Sequence, residues 1–153
     1  MTSNNDYLTK VRPEWIDHNG HMNVAYFVVA FDEATDAIYE RWGLGLEYPT
    51  RSGCSVFTLG MNVDYRAELF LDDPIRVITH LVDSSDKCIH YFHQMYHGES
   101  GQLVANNECL CMNVNLESRK SQPFPGHVVA LLAAARTDEP GPDGFGRVLE
   151  IRR

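Results

Sequence analysis

The sequence predicts an α+β fold, an antiparallel sheet of about five strands wrapped around a long central helix. Three observations predict it. Residues 24–31 are nearly all apolar, and Ala34, Ala37, Ile38 and Trp42 continue the run at helical spacing. From residue 56 to residue 116 the period changes to two, interrupted only by short turn-like clusters. A helix that is apolar around its whole start also needs a sheet that curls about it, because a flat sheet covers only one face.

Taken in order, residues 7–16 read as a short strand in which Pro13 sets a break or an edge position. Asn23 is a good N-cap and Gly43 a good C′ residue. The helix between them spans about twenty residues, roughly 30 Å at 1.5 Å per residue. Val28, Val29 and Phe31 are weak helix formers, so packing must override propensity there. Asp32, Glu33, Asp36 and Glu40 make its second half amphipathic.

Residues 56–71 contain alternating stretches and end at the turn Asp72-Asp73-Pro74. Residues 75–82 set Val77, Thr79 and Leu81 against Arg76, Ile78 and His80. After Ser84-Ser85-Asp86 comes a strand over 88–97, then Gly98-Glu99-Ser100-Gly101 with hairpin-turn composition, then a strand over 103–116. Long strands joined by short turns imply an antiparallel meander. Pro123-Phe124-Pro125-Gly126 opens a second helix over 127–136, with Val128, Val129, Leu131 and Leu132 as its apolar face. The tail 137–153 reads as a loop, in which 148–151 add an edge strand or touch a partner. With no repeat and no internal boundary, residues 1–153 are expected to form a single domain.

Composition narrows the function. Of 153 residues, 44% are hydrophobic and 22% charged, as in a soluble globular protein. No stretch approaches the ~20 apolar residues of a membrane span, and residues 1–6 lack the features of a secretory signal. A cytoplasmic location is therefore expected, with no membrane partner. The formal charge of −8 argues against nucleic acid and favours a cationic ligand. Cys109 and Cys111 share one face of a strand, but no second pair accompanies them, so core packing is expected rather than metal binding. His90 and His93 face opposite sides of their strand, so no metal site is expected among His90, His93 and His97.

The polar turn before the long helix is the candidate site. Asp17-His18-Asn19-Gly20-His21-Met22-Asn23 places one carboxylate, two imidazoles and two amides in seven residues. Read from the residues alone, Asp17 is either a solvated turn residue or a catalytic carboxylate, and Asn23 is an N-cap in either case.

Asp17-His18-Asn19-Gly20-His21-Met22-Asn23-Val24-Ala25-Tyr26 resembles the Asp-x-x-Gly-His-x-Asn-x-x-Tyr motif of the hotdog-fold acyl-CoA thioesterases of the 4-hydroxybenzoyl-CoA thioesterase type. Val63-Asp64-Tyr65-Arg66, followed by Asp72-Asp73-Pro74-Ile75, is similar to a second family motif, with Asp72 standing where glycine is usual. Within that family the segment from Val11 to Asn23 looks most like the thioesterases of carnitine breakdown, which release glycine betaine from betainyl-CoA.

The resemblance implies a hotdog fold, an acyl-CoA substrate, and a homodimer or homotetramer with sheets paired edge to edge. No cofactor is implied. It also implies Asp17 as general base or nucleophile, with the N-terminus of the helix as oxyanion site. Asn23 and His21 are the accompanying catalytic candidates, and His18 is taken as structural or exposed. A trimethylammonium acyl group makes no hydrogen bond and must be held by aromatic faces and carboxylates. The candidates for that contact are Trp15, Tyr26, Phe27, Phe57 and Tyr65. Arg66, Lys87, Arg119 and Lys120 are the candidates for the CoA phosphates. Aryl- or fatty acyl-CoA hydrolysis, a non-catalytic acyl-thioester-binding module and a hydratase are the competing readings.

Overall fold

A computed structural model describes residues 5–137; the expected edge strand at 148–151 lies outside the described residues. The chain opens with β1 (Asp6–Lys10) and a single 3-10 turn (Pro13–Trp15) before α1 (Val24–Arg41) and the short α2 (Tyr48–Ser52). Four long strands follow, β2 (Cys54–Tyr65), β3 (Pro74–Ser84), β4 (Cys88–His97) and β5 (Leu103–Asn115), and then α3 (Gly126–Ala135). The five strands form one antiparallel sheet in the order β1-β3-β4-β5-β2, and it curls around α1. The sheet-wrapped helix is what the order of long strands and one long helix predicts, and it is the hotdog fold that the resemblance implies.

Two differences from the expected elements have local causes. The first strand stops at Lys10 because Pro13 starts the 3-10 turn and lacks the N–H a ladder needs. The helix α2 begins at Tyr48-Pro49, a short signal hidden between the C-terminus of α1 and the first β alternation. The meander β3-β4-β5 is as expected, including the buried Val77, Thr79 and Leu81 of β3. Asp72, at the glycine position of the family motif, adopts φ +64°, the left-handed conformation that glycine ordinarily supplies and that Asp tolerates.

Helix α1 seals the core with Phe27, Ala30, Phe31, Ala34, Thr35 and Ile38. Burying each large apolar side chain there contributes about 1.5–3 kcal/mol. Around the first half of α1 gather Trp15, Met22, Leu69 and Met95; around the second half gather Trp42, Tyr48, Tyr91, Phe124 and Leu132. The start of α1 is not buried all round: Val24 is 54% and Val29 38% exposed. These residues lie on a side of the helix that this chain leaves uncovered. Strand β2 is similarly bare, with Phe57, Leu59, Met61 and Tyr65 exposed along the outer edge of the sheet.

One polar group sits in the middle of this core. His93 is fully buried between Thr35 of α1 and Thr79 of β3, with both ring nitrogens 2.9 Å from a hydroxyl. The Thr35 hydroxyl donates its proton to the Phe31 carbonyl at 3.0 Å. Thr35 can therefore only accept from His93, so Nε2 carries the proton and Nδ1 accepts from Thr79. Burial lowers the imidazole pKa to about 3, so the ring is neutral. His90 and His97 stand apart from it, paired with Glu108 and Asp73 respectively. Cys54, Cys109 and Cys111 are buried free thiols and Cys88 is partly exposed. Among the described residues no cluster of metal ligands forms, and no helix is long and apolar enough to cross a membrane.

Candidate active site

The polar turn is a small hairpin locked to the core at both ends. Ile16 and Met22 form an antiparallel bridge, Asn23 N donates to Trp15 O at 2.9 Å, and Met22 N donates to Leu69 O at 2.8 Å. Between them Asp17 N donates to His21 O at 3.1 Å, and Gly20 closes the turn at φ +81°, a conformation an L side chain resists. The hydrogen-bonded frame fixes the backbone of Asp17 despite its position in a loop.

The Asp17 carboxylate is held from two directions. Its Oδ1 accepts from the backbone N–H of Asn19 at 2.8 Å, and its Oδ2 accepts from Asn23 Nδ2 at 3.0 Å. The Asn19 bond first, and the Asn23 bond second, hold the carboxyl below its ordinary value. Asp17 is therefore ionised at neutral pH and oriented. Asn23 meanwhile caps α1, its Oδ1 accepting from Ala25 N at 3.0 Å.

Capping leaves one backbone donor over. Ala25 N is taken by the Asn23 side chain and Tyr26 N by the Asn23 carbonyl at 3.0 Å. Val24 N–H, the first amide of the helix, has no hydrogen-bond partner among the described residues. Val24 lines an open cleft of about 380 Å³ together with His21, Phe27, Tyr65, Arg66 and Glu68. A carboxylate, an unused helix-terminal N–H and a cleft thus share one corner of the fold. That set can activate water or a nucleophile and hold a developing oxyanion.

His21 faces the cleft rather than the carboxylate. Its Nδ1 lies 3.0 Å from the Met22 carbonyl, which can only accept, so Nδ1 carries the proton and Nε2 is left towards Glu68 Oε1 at 3.7 Å. Tyr65 and Phe27 meet edge to face at 5.2 Å, and the Tyr65 hydroxyl donates to Val24 O at 3.0 Å. Glu68 was not among the residues expected from sequence, whereas the Val24 amide is one N–H of the helix N-terminus expected there. The amide follows from the N-cap itself, since the first helical N–H groups have no intrahelical partner. Nothing in the sequence distinguishes Glu68 from other surface acids.

The remaining candidates fall elsewhere. Trp15 is 2% exposed, stacked on Tyr26 at 5.9 Å and covered by the Arg12 guanidinium at 4.5 Å, so neither of its faces meets the cleft. Tyr26 is spent in the same stack. Phe57 lies on the opposite side of the sheet: its neighbour Thr58 contacts Cys111 beneath the helix, and side chains alternate along a strand. Arg66 lines the cleft, with its Nε donating to Asp64 at 3.1 Å. Lys87, Arg119 and Lys120 gather at the far end of β5, since Asn113 N bonds to Lys87 O and Asn115 N to Lys120 O. Ala105, paired with Tyr65 beside the cleft, is ten residues from Asn115 along β5, roughly 30 Å away. Within one chain these three cations do not reach the cleft.

The family model of the Thioesterase-like superfamily matches residues 11–132. The chain belongs to that superfamily. It is 37% identical over 148 residues to the betainyl-CoA thioesterase of Pseudomonas aeruginosa, covering 95% of this chain and 93% of the relative. It is also 30% identical to the L-carnitine dehydrogenase/betainyl-CoA thioesterase of Rhizobium meliloti, of whose length it spans 30%. Among solved structures, a Staphylococcus aureus protein in complex with CoA superposes with a TM-score of 0.89 at 28% identity, over 96% of this chain and 94% of that one. The 1,4-dihydroxy-2-naphthoyl-CoA thioesterase of Synechocystis shares the fold with a TM-score of 0.76 at 20% identity, over 88% of this chain and 98% of that one.

Proposed function

We propose that this protein is an acyl-CoA thioesterase whose substrate is betainyl-CoA, giving glycine betaine and CoA in carnitine catabolism. The observation that carries the reading is the oriented, ionised Asp17 carboxylate beside the unused Val24 N–H. The near full-length likeness to a betainyl-CoA thioesterase supports the choice of substrate. Asp17 takes a proton from water as the water oxygen bonds to the thioester carbon. The carbonyl oxygen becomes an oxyanion that the Val24 N–H stabilises, and such a donor typically contributes about 2.7–4 kcal/mol. Collapse breaks the C–S bond, and CoA leaves as thiolate. Direct attack by Asp17, through a mixed anhydride that water then opens, uses the same geometry.

The assembly belongs to the same proposal. Strand β2 is twelve residues long, lies at the sheet edge and exposes apolar side chains on both faces. An edge of this kind invites pairing with a second copy. A homodimer joined along β2 covers it and brings the far end of one subunit towards the cleft of the other.

Steady-state hydrolysis of betainyl-, 4-hydroxybenzoyl- and medium-chain acyl-CoA by one preparation tests the reading. Preference for betainyl-CoA is the expected result. Comparable slow turnover of all three removes betainyl-CoA as the substrate.

A further inference from the structure

The acyl group of betainyl-CoA is short. Its quaternary nitrogen lies two bonds from the carbon that reacts, roughly 2.5 Å away at standard C–N and C–C lengths. With the carbonyl oxygen at the Val24 N–H, the trimethylammonium head therefore has to sit in the cleft that Val24 lines, against the neighbours of Val24 itself.

Of the residues lining that cleft, only Glu68 carries a carboxylate. Its backbone is tied on both sides. Ala67 N donates to Val104 O at 3.2 Å, and Leu69 O accepts from Met22 N at 2.8 Å, so Glu68 is fixed to the sheet on one side and to the polar turn on the other. Among the described residues its carboxylate makes no hydrogen bond; His21 Nε2 approaches to 3.7 Å, beyond hydrogen-bond reach. Glu68 is thus placed at the cleft without being spent on the protein. The cation that shares the lining is already neutralised, because Arg66 Nε and Nη2 each lie 3.1 Å from Asp64 Oδ2. The charge of Glu68 is left in excess.

An aromatic ring stands in the same cleft, and Val24 positions it. The Tyr65 hydroxyl donates to Val24 O at 3.0 Å, which brings its ring beside the residue whose N–H is unused, and Phe27 braces that ring edge to face at 5.2 Å. Tyr65 is 43% exposed, so the ring is open to the cleft it lines. A quaternary ammonium has no N–H to donate and is recognised by aromatic faces and negative charge. We propose that Glu68 and Tyr65 hold the trimethylammonium head, so that the cleft selects a quaternary ammonium over a neutral acyl group of the same shape. This assignment rests on the betainyl-CoA reading.

The readout is the ratio of kcat/KM for betainyl-CoA to that for 3,3-dimethylbutanoyl-CoA, which carries carbon in place of the charged nitrogen. The ammonium also makes the thioester carbon more electrophilic, but equally in every variant, so a change of ratio between variants reports recognition. Glu68→Gln keeps the shape and removes the charge; the ratio is expected to fall about tenfold there and to recover in part in Glu68→Asp. Tyr65→Leu is expected to lower it about fivefold, while Tyr65→Phe, which keeps the ring and loses the hydroxyl, holds it within about twofold of wild type. A wild type active on betainyl-CoA, with a ratio unmoved by Glu68→Gln or by Tyr65→Leu, overturns the subsite and leaves the thioesterase standing. Equal loss on both substrates in Glu68→Gln counts as an unmoved ratio. A wild type inactive on betainyl-CoA but active on another acyl-CoA overturns the choice of substrate, and the subsite with it.

Discussion

The side chain of Asn23 joins Asp17 to the helix: its Nδ2 donates to Asp17 Oδ2 and its Oδ1 accepts from Ala25 N, both at 3.0 Å. One residue therefore orients the carboxylate and caps α1. The two roles separate by substitution. Asn23→Ser keeps a capping oxygen and loses the donor, so thermal stability is expected to hold while kcat falls about a hundredfold. Asn23→Ala loses both, with a further destabilisation of about 1 kcal/mol. Melting curves and hydrolysis assays on the two variants check this; equal loss of activity and stability in Asn23→Ser contradicts it.

Removal of the carboxylate is the direct test of its chemistry. Asp17→Asn is expected to lower kcat/KM by about 10²–10⁴, the usual contribution of a positioned general base. Circular dichroism should be unchanged, because the hairpin frame is made of backbone bonds. Wild-type turnover in Asp17→Asn would remove Asp17 from the mechanism.

The pH profile follows from the same bonds. Hydrogen bonds from Asn19 and Asn23 favour the charged carboxylate, so Asp17 loses its proton at a lower pH than a free Asp. The acid limb of kcat/KM is expected to lie below the ordinary Asp value of 3.8 and to move upward in Asn23→Ser. A limb that stays put in that variant shows that Asn23 does not tune Asp17.

Stability has a different pH sensor. His93 titrates at about 3 in the folded protein and at 6.5 when exposed. Between those values the unfolded chain binds more protons, so stability is full above pH 6.5 and declines as pH falls below it. The slope approaches about 1.4 kcal/mol per pH unit. Urea midpoints at pH 7 and pH 5 are expected to differ less in His93→Gln than in the wild type. An identical difference in both assigns the acid sensitivity to other groups.

Trp15 offers a contrast. Buried beneath Arg12 and against Tyr26, it supports the entry to the turn. Trp15→Ala is expected to destabilise the fold by about 3–5 kcal/mol. Trp15→Phe should leave KM for the acyl-CoA within about twofold of wild type, since the ring does not meet the cleft. A large rise in KM with stability retained would restore Trp15 as a ligand contact.

The parts of the fold legible in the sequence were those with local causes. Asn23 and Gly43 bound α1 because capping is decided by one or two residues, and the meander from 75 to 115 shows in its alternation. What was not legible depends on which elements become neighbours. Val24 and Val29 look like core residues in sequence and are exposed, with β2 left bare at the sheet edge. The cover over Trp15 comes from Arg12, three residues away but across the 3-10 turn. The turn itself stands out as a candidate site because its polar residues are contiguous.

The thiols described above decide how the protein can be assayed. Release of CoA is conveniently followed with a dye that reacts with thiolate, and a reactive protein thiol would consume the reagent and obscure slow variants. Burial pushes Cys109 up to about 12, and Cys54 and Cys111 are enclosed in the same core. Only Cys88 is partly open to solvent. The background is thus at most one fast-reacting group per folded chain, and the slower appearance of three more reports unfolding in the same cuvette.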